Sequence, residues 1–439
     1  MKPRPPLPGG PYLVVGLARS GRAAAYALRA RGEEVIGVDA GAPDTGRLRA
    51  VGVEVHLDVP GTELVARART LVKSPGVPQD APVVAAARDR GLPVIGELEV
   101  AWRLIGNEVV AVTGTNGKTT TTELIGHIHR EAGVDALVAG NVGLPLADLI
   151  DDLEPHTVVI AETSSFQLED TEAFAPEAAV LLNVTEDHLD RHGTMTDYLA
   201  AKHEAFARQR SEDVAVAPED LAGGLPGAAE RIRFGEGREL EMGVQAGTLH
   251  WRGHELMRAS DVRLRGRHNL DNAMAAAAVC LARGLPANAV RHGLRTFAGV
   301  RHRLEEVAEL GGVIYVNDSK ATNPASTVVA LDSFEDGVHL IAGGRAKGGG
   351  FADLVRPVGL HCAAVYLIGE AAGALARDLE PAGVPLHDCG DLAGAVAAAR
   401  AAARPGQTVL LSPACASFDQ FHDFEARGAA FAALVKAGS

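Results

Sequence analysis

The chain has 439 residues, too many for one ordinary core, and size alone points to two to four domains. With 47% hydrophobic and 22% charged residues it has the composition of a globular protein, and only 4% aromatics beside abundant Gly disfavours an all-β sandwich. A formal net charge of -14 repels phosphate backbones, which excludes nucleic acid as a default partner and requires any anionic ligand to find a local basic pocket.

Four cysteines (Cys280, Cys362, Cys389 and Cys415) form no CxxC pair and read as reduced thiols. The start, MKPRPPLPGGPY, lacks the apolar stretch of a signal peptide, and no apolar run approaches the roughly 18 residues of a membrane span. A protein working inside the cytoplasm, unanchored, is the expectation.

Chain order begins with a Rossmann-like unit. Residues 12–15 predict a short buried strand, Gly16 to Gly21 a turn into a helix, and residues 35–38 a second strand ending at Asp39. The turn resembles a dinucleotide fingerprint but has Ala18 where the second glycine belongs, which favours a uridine-nucleotide pocket over NAD. Further β/α alternation at 71–76 and 92–97 places a boundary near residue 97.

A second unit opens at Thr113-Gly114-Thr115-Asn116-Gly117-Lys118-Thr119-Thr120, after an apolar strand and before a helix. Glycines admit phosphate oxygens to the backbone N–H groups, the helix N-terminus favours anions, and Lys118 adds a cation. The strict P-loop pattern asks for glycine where Val112 stands, so this is a variant. Thr119 follows the lysine, where a hydroxyl can meet Mg²⁺.

Two acidic and polar strand ends follow. Glu162-Thr163-Ser164-Ser165-Phe166-Gln167 offers a carboxylate beside the P-loop, suited to a hard metal. The alternative is a helix cap at Ser164 and Ser165 with Glu162 merely solvated. Residues 183–192 (NVTEDHLDRH) crowd polar groups after a strand at 179–185, with His188 able to bind a metal or orient a substrate. Lys202 is by itself an ordinary helical lysine. Residues 211–266 read as an antiparallel flap, and a helix over 269–281 closes this unit.

A third α/β unit begins near residue 300. Arg301-His302-Arg303, NDSKATNP (317–324), GGRAK (343–347) and SPACASFDQF (412–421) each follow an apolar strand or a turn and gather cations and hydroxyls on one rim. No general base at fixed spacing accompanies Cys415, which favours a buried thiol over a nucleophile.

The motifs GTNGKTT, ETSSFQLE, NVTEDHLDRHGT, NDSKATNP and SPACASFDQF, in this order, resemble those of the Mur ligases of peptidoglycan synthesis over essentially the whole chain. The DNPR-type motif of diaminopimelate-adding relatives is absent. The resemblance implies an α/β fold of three domains: 1–97 for the UDP-sugar, 98–299 for ATP and 300–439 for the amino acid. It implies ligation of D-glutamate to UDP-N-acetylmuramoyl-L-alanine through an acyl phosphate, by a monomer that uses ATP and two Mg²⁺ ions.

Residue by residue, the resemblance implies that Lys118 with Gly114, Thr115, Asn116, Gly117, Thr119 and Thr120 holds the ATP phosphates. Asn272, Arg303 and Asp318 fall where the family contacts adenine, phosphate and ribose. Thr119 and Glu162 are implied for one Mg²⁺, His188 and a carbamylated Lys202 for the other, with Lys118, His188 and Lys202 catalytic. Arg19, Ser20, Asp39, Ser74, Gly76, Asn141 and Gln167 fall on the UDP-sugar side. Lys320, Thr322, Lys347, Ser417 and Phe424 fall where the family holds D-glutamate. After Asp39 the family often has Thr-Arg, whereas this chain has Ala40-Gly41, which shifts the expected uridine contact toward Arg19.

Overall fold

A computed structural model describes residues 2–141, 144–264, 266–346, 348 and 350–437. It contains three sheets with helices between and around them, the α/β class expected from the alternating pattern. The chain divides into two compact units, one of residues 1–263 and 268–297, the other of residues 264–267 and 298–439.

In the first unit, β1 (Tyr12–Val15), β2 (Val35–Asp39), β3 (Glu54–Leu57), β4 (Thr70–Lys73) and β5 (Val94–Gly96) form a parallel sheet in the order β3-β2-β1-β4-β5. Both faces are covered: Tyr12 and Val14 pack into one core cluster, Leu13 and Val15 into another. That is why these strands read as continuous apolar runs. The strand order reverses between β1 and β4, where ligands of open α/β sheets bind.

The same unit holds a nine-stranded sheet. Its strands are β6 (Val109–Thr113), β7 (Ala136–Gly140), β8 (Val158–Glu162), β9 (Ala178–Leu181), β10 (Val214–Pro218), β11 (Glu230–Glu236), β12 (Met242–Gln245), β13 (Thr248–Trp251) and β14 (His254–Arg258). The order is β14-β13-β12-β11-β10-β9-β6-β8-β7. The antiparallel flap expected over 211–266 is only partly present. β10, β11 and β12 extend the parallel sheet, and only β12, β13 and β14 pair antiparallel. Short runs such as RIRFG alternate in burial because this outer part of the sheet is covered on one face, so polarity alone did not reveal strand direction. The strand expected over 179–185 stops at Leu181, and Asn183 onward is loop.

In the second unit, β15 (Glu305–Leu310), β16 (Val313–Asn317), β17 (Val338–Gly343), β18 (Cys362–Ile368), β19 (Leu386–Gly390) and β20 (Thr408–Leu411) run in the order β15-β16-β20-β17-β18-β19. All neighbours are parallel except the β15–β16 pair. All four cysteines are free thiols, and Cys415 is fully buried. No described helix is long and apolar enough to cross a membrane.

One glycine fixes how tightly the first helix sits on its sheet. A Cβ on Gly21 would come within 1.8 Å of the Gly16 carbonyl oxygen and 2.6 Å of Ser74 Oγ, while Ser74 Oγ itself donates to that carbonyl at 2.6 Å. Because the obstacle is backbone, Gly21→Ala is expected to lower stability by about 1–3 kcal/mol, read as an earlier urea midpoint with an unchanged slope.

Candidate active site

β6 lies between β8 and β9 in the nine-stranded sheet, so three neighbouring strand ends deliver the P-loop, Glu162 and the segment 183–188 to one edge. Gly114 and Gly117 both have positive φ, +152° and +82°, which is the freedom the phosphate-type turn needs. The helix Lys118–Glu131 then begins with its N-terminus at the loop.

Asn183 locks this loop in place. Its Oδ1 accepts from the Asn116 N–H at 2.9 Å, its Nδ2 donates to the Asn116 carbonyl at 3.2 Å, and its own carbonyl accepts from the Thr115 N–H at 3.0 Å. Thr115 Oγ1 accepts from the Thr185 N–H at 3.1 Å and lies 3.2 Å from the Tyr198 hydroxyl. Asn272 stands against the loop from the helix Arg267–Ala282, close enough that a Cβ on Gly117 would meet its Oδ1 at 2.2 Å.

Two lysines converge here. Lys118 Nζ donates to the carbonyls of Gly114 at 2.9 Å and Thr115 at 2.7 Å. Lys202 Nζ donates to the same Gly114 carbonyl at 2.9 Å and sits 4.2 Å from the centre of the Tyr198 ring. Lys202 is 1% exposed, so it is not the solvated helical residue its sequence context indicates. Burial, reinforced by the charge of Lys118, pushes its pKa down to about 7, with Asp187 opposing.

Glu162 is buried, not solvated, and its Oε1 accepts from Asn141 Nδ2 at 3.1 Å. Ser164, by contrast, does cap the short helix Ser165–Leu168, in a capping box closed by Gln167. Thr119 and Thr120 are buried in the first turn of the P-loop helix. His188 is exposed, in a left-handed backbone conformation at φ 53°, with its ring 4.8 Å from Phe166 and its Nε2 3.4 Å from Asp187.

On the first sheet, Asp39 closes the βα turn: its carboxylate accepts from the Leu17 N–H at 2.6 Å and the Gly41 N–H at 2.8 Å. Arg19 and Ser20 open the helix Arg19–Ala30 at the end of β1, and Ser74 and Gly76 follow β4, the strand next to β1. The residues expected on the UDP-sugar side therefore flank the switch point, apart from Asn141, which follows β7, and Gln167, in the short helix after β8.

In the second unit, the loops after β16, β20 and β17 are neighbours because those strands are adjacent. Asp318 Oδ2 accepts from Ser412 Oγ at 2.8 Å and its Oδ1 from the Leu304 N–H at 3.2 Å. Burial pushes its carboxyl up to about 7, against the pull of Ser412, Arg303 and the Leu304 N–H. Arg427, 1% exposed, binds these loops together: it donates to Ser319 Oγ at 3.0 Å, the Ser319 carbonyl at 2.9 Å and the Cys415 carbonyl at 3.1 Å. Ser319 Oγ in turn donates to the carbonyl of Phe424 at 2.8 Å. Lys320 and Thr322 lie on the first of these loops, Ser417 on the second and Phe424 at the start of the last helix. Lys347 lies outside the described residues.

Asn183, Tyr198, Ser319 and Arg427 were not singled out as site residues from sequence. The first three stand in or beside the polar motifs, which is the available signal. Arg427 sits in a helix and reads as a surface residue until its burial is known.

Residues 112–280 match the family described as Mur ligase middle domain, and residues 302–415 match Mur ligase, glutamate ligase domain. The UDP-N-acetylmuramoylalanine--D-glutamate ligase of Pelotomaculum thermopropionicum is 44% identical, covering 96% of this chain and 96% of that protein. The enzyme of the same name from Acidobacterium capsulatum is 43% identical over 98% of this chain and 97% of its own length. Among solved structures, MurF from Acinetobacter baumannii aligns with a TM-score of 0.60 at 19% identity, over 96% of this chain and 93% of that one. MurF from Thermotoga maritima in complex with ADP aligns at 0.58 and 17%, over 99% and 96%. Both structural likenesses speak to the fold.

The Gly117 geometry yields a test. Alanine there strains a left-handed position by about 1–2 kcal/mol and displaces the Asn272 side chain, so Gly117→Ala is expected to weaken nucleotide affinity about tenfold or more. Equilibrium binding of a fluorescent ATP analogue measures it.

Proposed function

Because the chain belongs to the Mur ligase family, we propose that the site joins D-glutamate to UDP-N-acetylmuramoyl-L-alanine at the expense of ATP. The carrying observation is the match over nearly the whole chain to ligases of that name. In this reaction the substrate carboxylate attacks the γ-phosphorus of ATP, forming an acyl phosphate and releasing ADP. The D-glutamate amine then adds to the acyl carbon, and the tetrahedral adduct expels phosphate, leaves an amide and gives up a proton.

Phosphoryl transfer of this kind asks for positioning and charge neutralisation more than for a covalent nucleophile. The P-loop amides, Lys118, Thr119 and Thr120 meet the triphosphate, with Asn272 toward adenine. Arg303 and Asp318 are the residues of the second unit that the family resemblance gives to phosphate and ribose. Lys320, Thr322, Lys347, Ser417 and Phe424 receive D-glutamate, while Arg19, Ser20, Asp39, Ser74, Gly76, Asn141 and Gln167 serve the UDP-sugar. The three lobes take the boundaries 1–97, 98–299 and 300–439, and the enzyme acts as a cytoplasmic monomer in peptidoglycan precursor synthesis.

Magnesium fits the donor set. Glu162 is a buried carboxylate beside the P-loop and Thr119 a hydroxyl on its first turn, which suits one ion; His188 with a carbamylated Lys202 suits a second. Two protein ligands for each ion would leave room for phosphate and water oxygens, the ligands magnesium favours. Bound there, the ions would neutralise developing phosphate charge.

Carbamylation finds support in the environment of Lys202. Only a neutral amine attacks carbon dioxide, forming an N–C bond and releasing a proton, and a pKa near 7 leaves a large neutral fraction at physiological pH. The sign is definite: the folded pKa lies below the ordinary 10.5, so the unfolded chain binds the extra proton between about pH 7 and 10.5, and the stability that burying this lysine costs below pH 7 is recovered as pH rises through that window.

Two assays check the reading. With ATP and UDP-N-acetylmuramoyl-L-alanine present, phosphate release should depend on D-glutamate within a panel of amino acids, and Lys118→Ala should abolish it in a protein that still folds; release with another amino acid alone would redirect the assignment. Lys202→Ala should lose most activity and regain part of it with added short carboxylates, whereas wild-type rates without any additive would remove the lysine from the mechanism.

A further inference from the structure

Arg191 joins three parts of the first unit that the ligase chemistry uses separately. It lies in the short helix Leu189–His192, directly after His188. Its Nη2 donates to the carbonyl of Val77, in the loop after β4, at 3.0 Å and to Glu169 Oε1 at 2.7 Å. The same guanidinium stands 4.8 Å from the centre of the Phe166 ring. Phe166 stacks on His192 at 5.3 Å and leans on His188 at 4.8 Å.

Lys73, the last residue of β4, closes this arrangement from the other side. It is completely buried, and its Nζ donates to the same Val77 carbonyl at 2.9 Å while pairing with Asp170 at 2.7 Å and Glu169 at 3.8 Å. Asp170 also accepts from Gln79 Nε2 at 2.8 Å, and its backbone carbonyl accepts from the Gly96 N–H at 2.8 Å. Two cations and two carboxylates thus balance around one loop carbonyl. The loop they grip carries Ser74 and Gly76, and the carboxylates follow the short helix Ser165–Leu168 that carries Gln167.

A buried ion network is a weak source of net stability, since desolvation offsets its attraction, but it is specific about geometry. Both hydrogen bonds of Arg191 leave one nitrogen, Nη2, while the flat face of the guanidinium covers the Phe166 ring, a contact that a compact ammonium does not reproduce. We propose that Arg191 is a positioning residue for the ligase reaction: its guanidinium holds the loop after β4 and, through Phe166, the plane of the His188 imidazole in one register. A nucleotide-sugar on the first sheet then presents its carboxylate to the P-loop at a fixed place. The inference rests on the ligase reading given above.

The test uses the full chain with Arg191→Lys, and Glu169→Gln as a second variant that removes one acceptor of the guanidinium if the first does not fold. Each substrate is varied in turn, and the His188 resonance is followed in isotope-labelled histidine spectra. A misplacement of the order of 1 Å is expected to lower kcat/KM for the UDP-sugar about tenfold to a hundredfold. KM for ATP should stay within about twofold, since uniform binding of nucleotide is untouched. The His188 signal should lose the ring-current shift that Phe166 imposes. Unaltered kcat/KM with an unaltered His188 signal, or an equal rise in KM for all three substrates, overturns the proposal. Wild-type enzyme with no D-glutamate-dependent turnover sinks the ligase reading itself, and in that case the His188 signal alone still decides whether Arg191 holds the ring.

Discussion

The carbonyl oxygen of Gly114 accepts hydrogen bonds from two lysines, Lys118 and Lys202, each at 2.9 Å. Bringing two ammonium groups to one buried acceptor is unfavourable unless anions are to follow or one amine gives up its charge. Both relations are visible in the surroundings. The loop amides and the helix N-terminus make the place attractive to phosphate, and burial beside Lys118 drives Lys202 toward neutrality. Gly114 can present its carbonyl this way because its φ of +152° turns the peptide as a side-chain-bearing residue rarely does.

Around that point the structure is organised by strand ends. β6 has β8 and β9 as neighbours, so the P-loop, Glu162 and Asn183 arrive together although Glu162 lies 48 positions after Gly114 and Asn183 a further 21 after Glu162. Asn183 does for the loop what a backbone partner does for a strand, taking the N–H and carbonyl of Asn116 with one amide group. The second unit solves the same problem differently. Arg427, a buried guanidinium whose pKa is pushed down to about 10 by burial, ties the loops after β16 and β20 through backbone carbonyls.

Polar networks also decide which parts of the first unit behave as one body. Glu99 accepts from the N–H groups of Glu172, Ala173 and Phe174 and from Arg103, joining the helix Glu97–Leu104 to the segment after Glu169. Glu97, at the start of that helix, is wholly buried and accepts from the Ala147 N–H at 2.7 Å; burial pushes its carboxyl up to about 7. These contacts join the helix after the first sheet to the second sheet's loops through two glutamates set two residues apart, each with its own partners, where sequence shows only two acids in a first turn.

The sequence by itself determined the fold class and the rhythm in which each apolar strand ends in a polar or glycine-rich motif. Apolar strands buried on both faces leave continuous runs, and phosphate-type turns leave glycines, because both demands act on residues adjacent in the chain. Tertiary structure alone decided the burial of Lys202 and Arg427, the parallel course of β10 to β12, and the choice of Ser164 as cap with Glu162 withheld from water. Each of these depends on partners distant in sequence. A lysine or arginine in a helix looks the same at a surface as in a core, and strand direction is set by which neighbour supplies the hydrogen bonds.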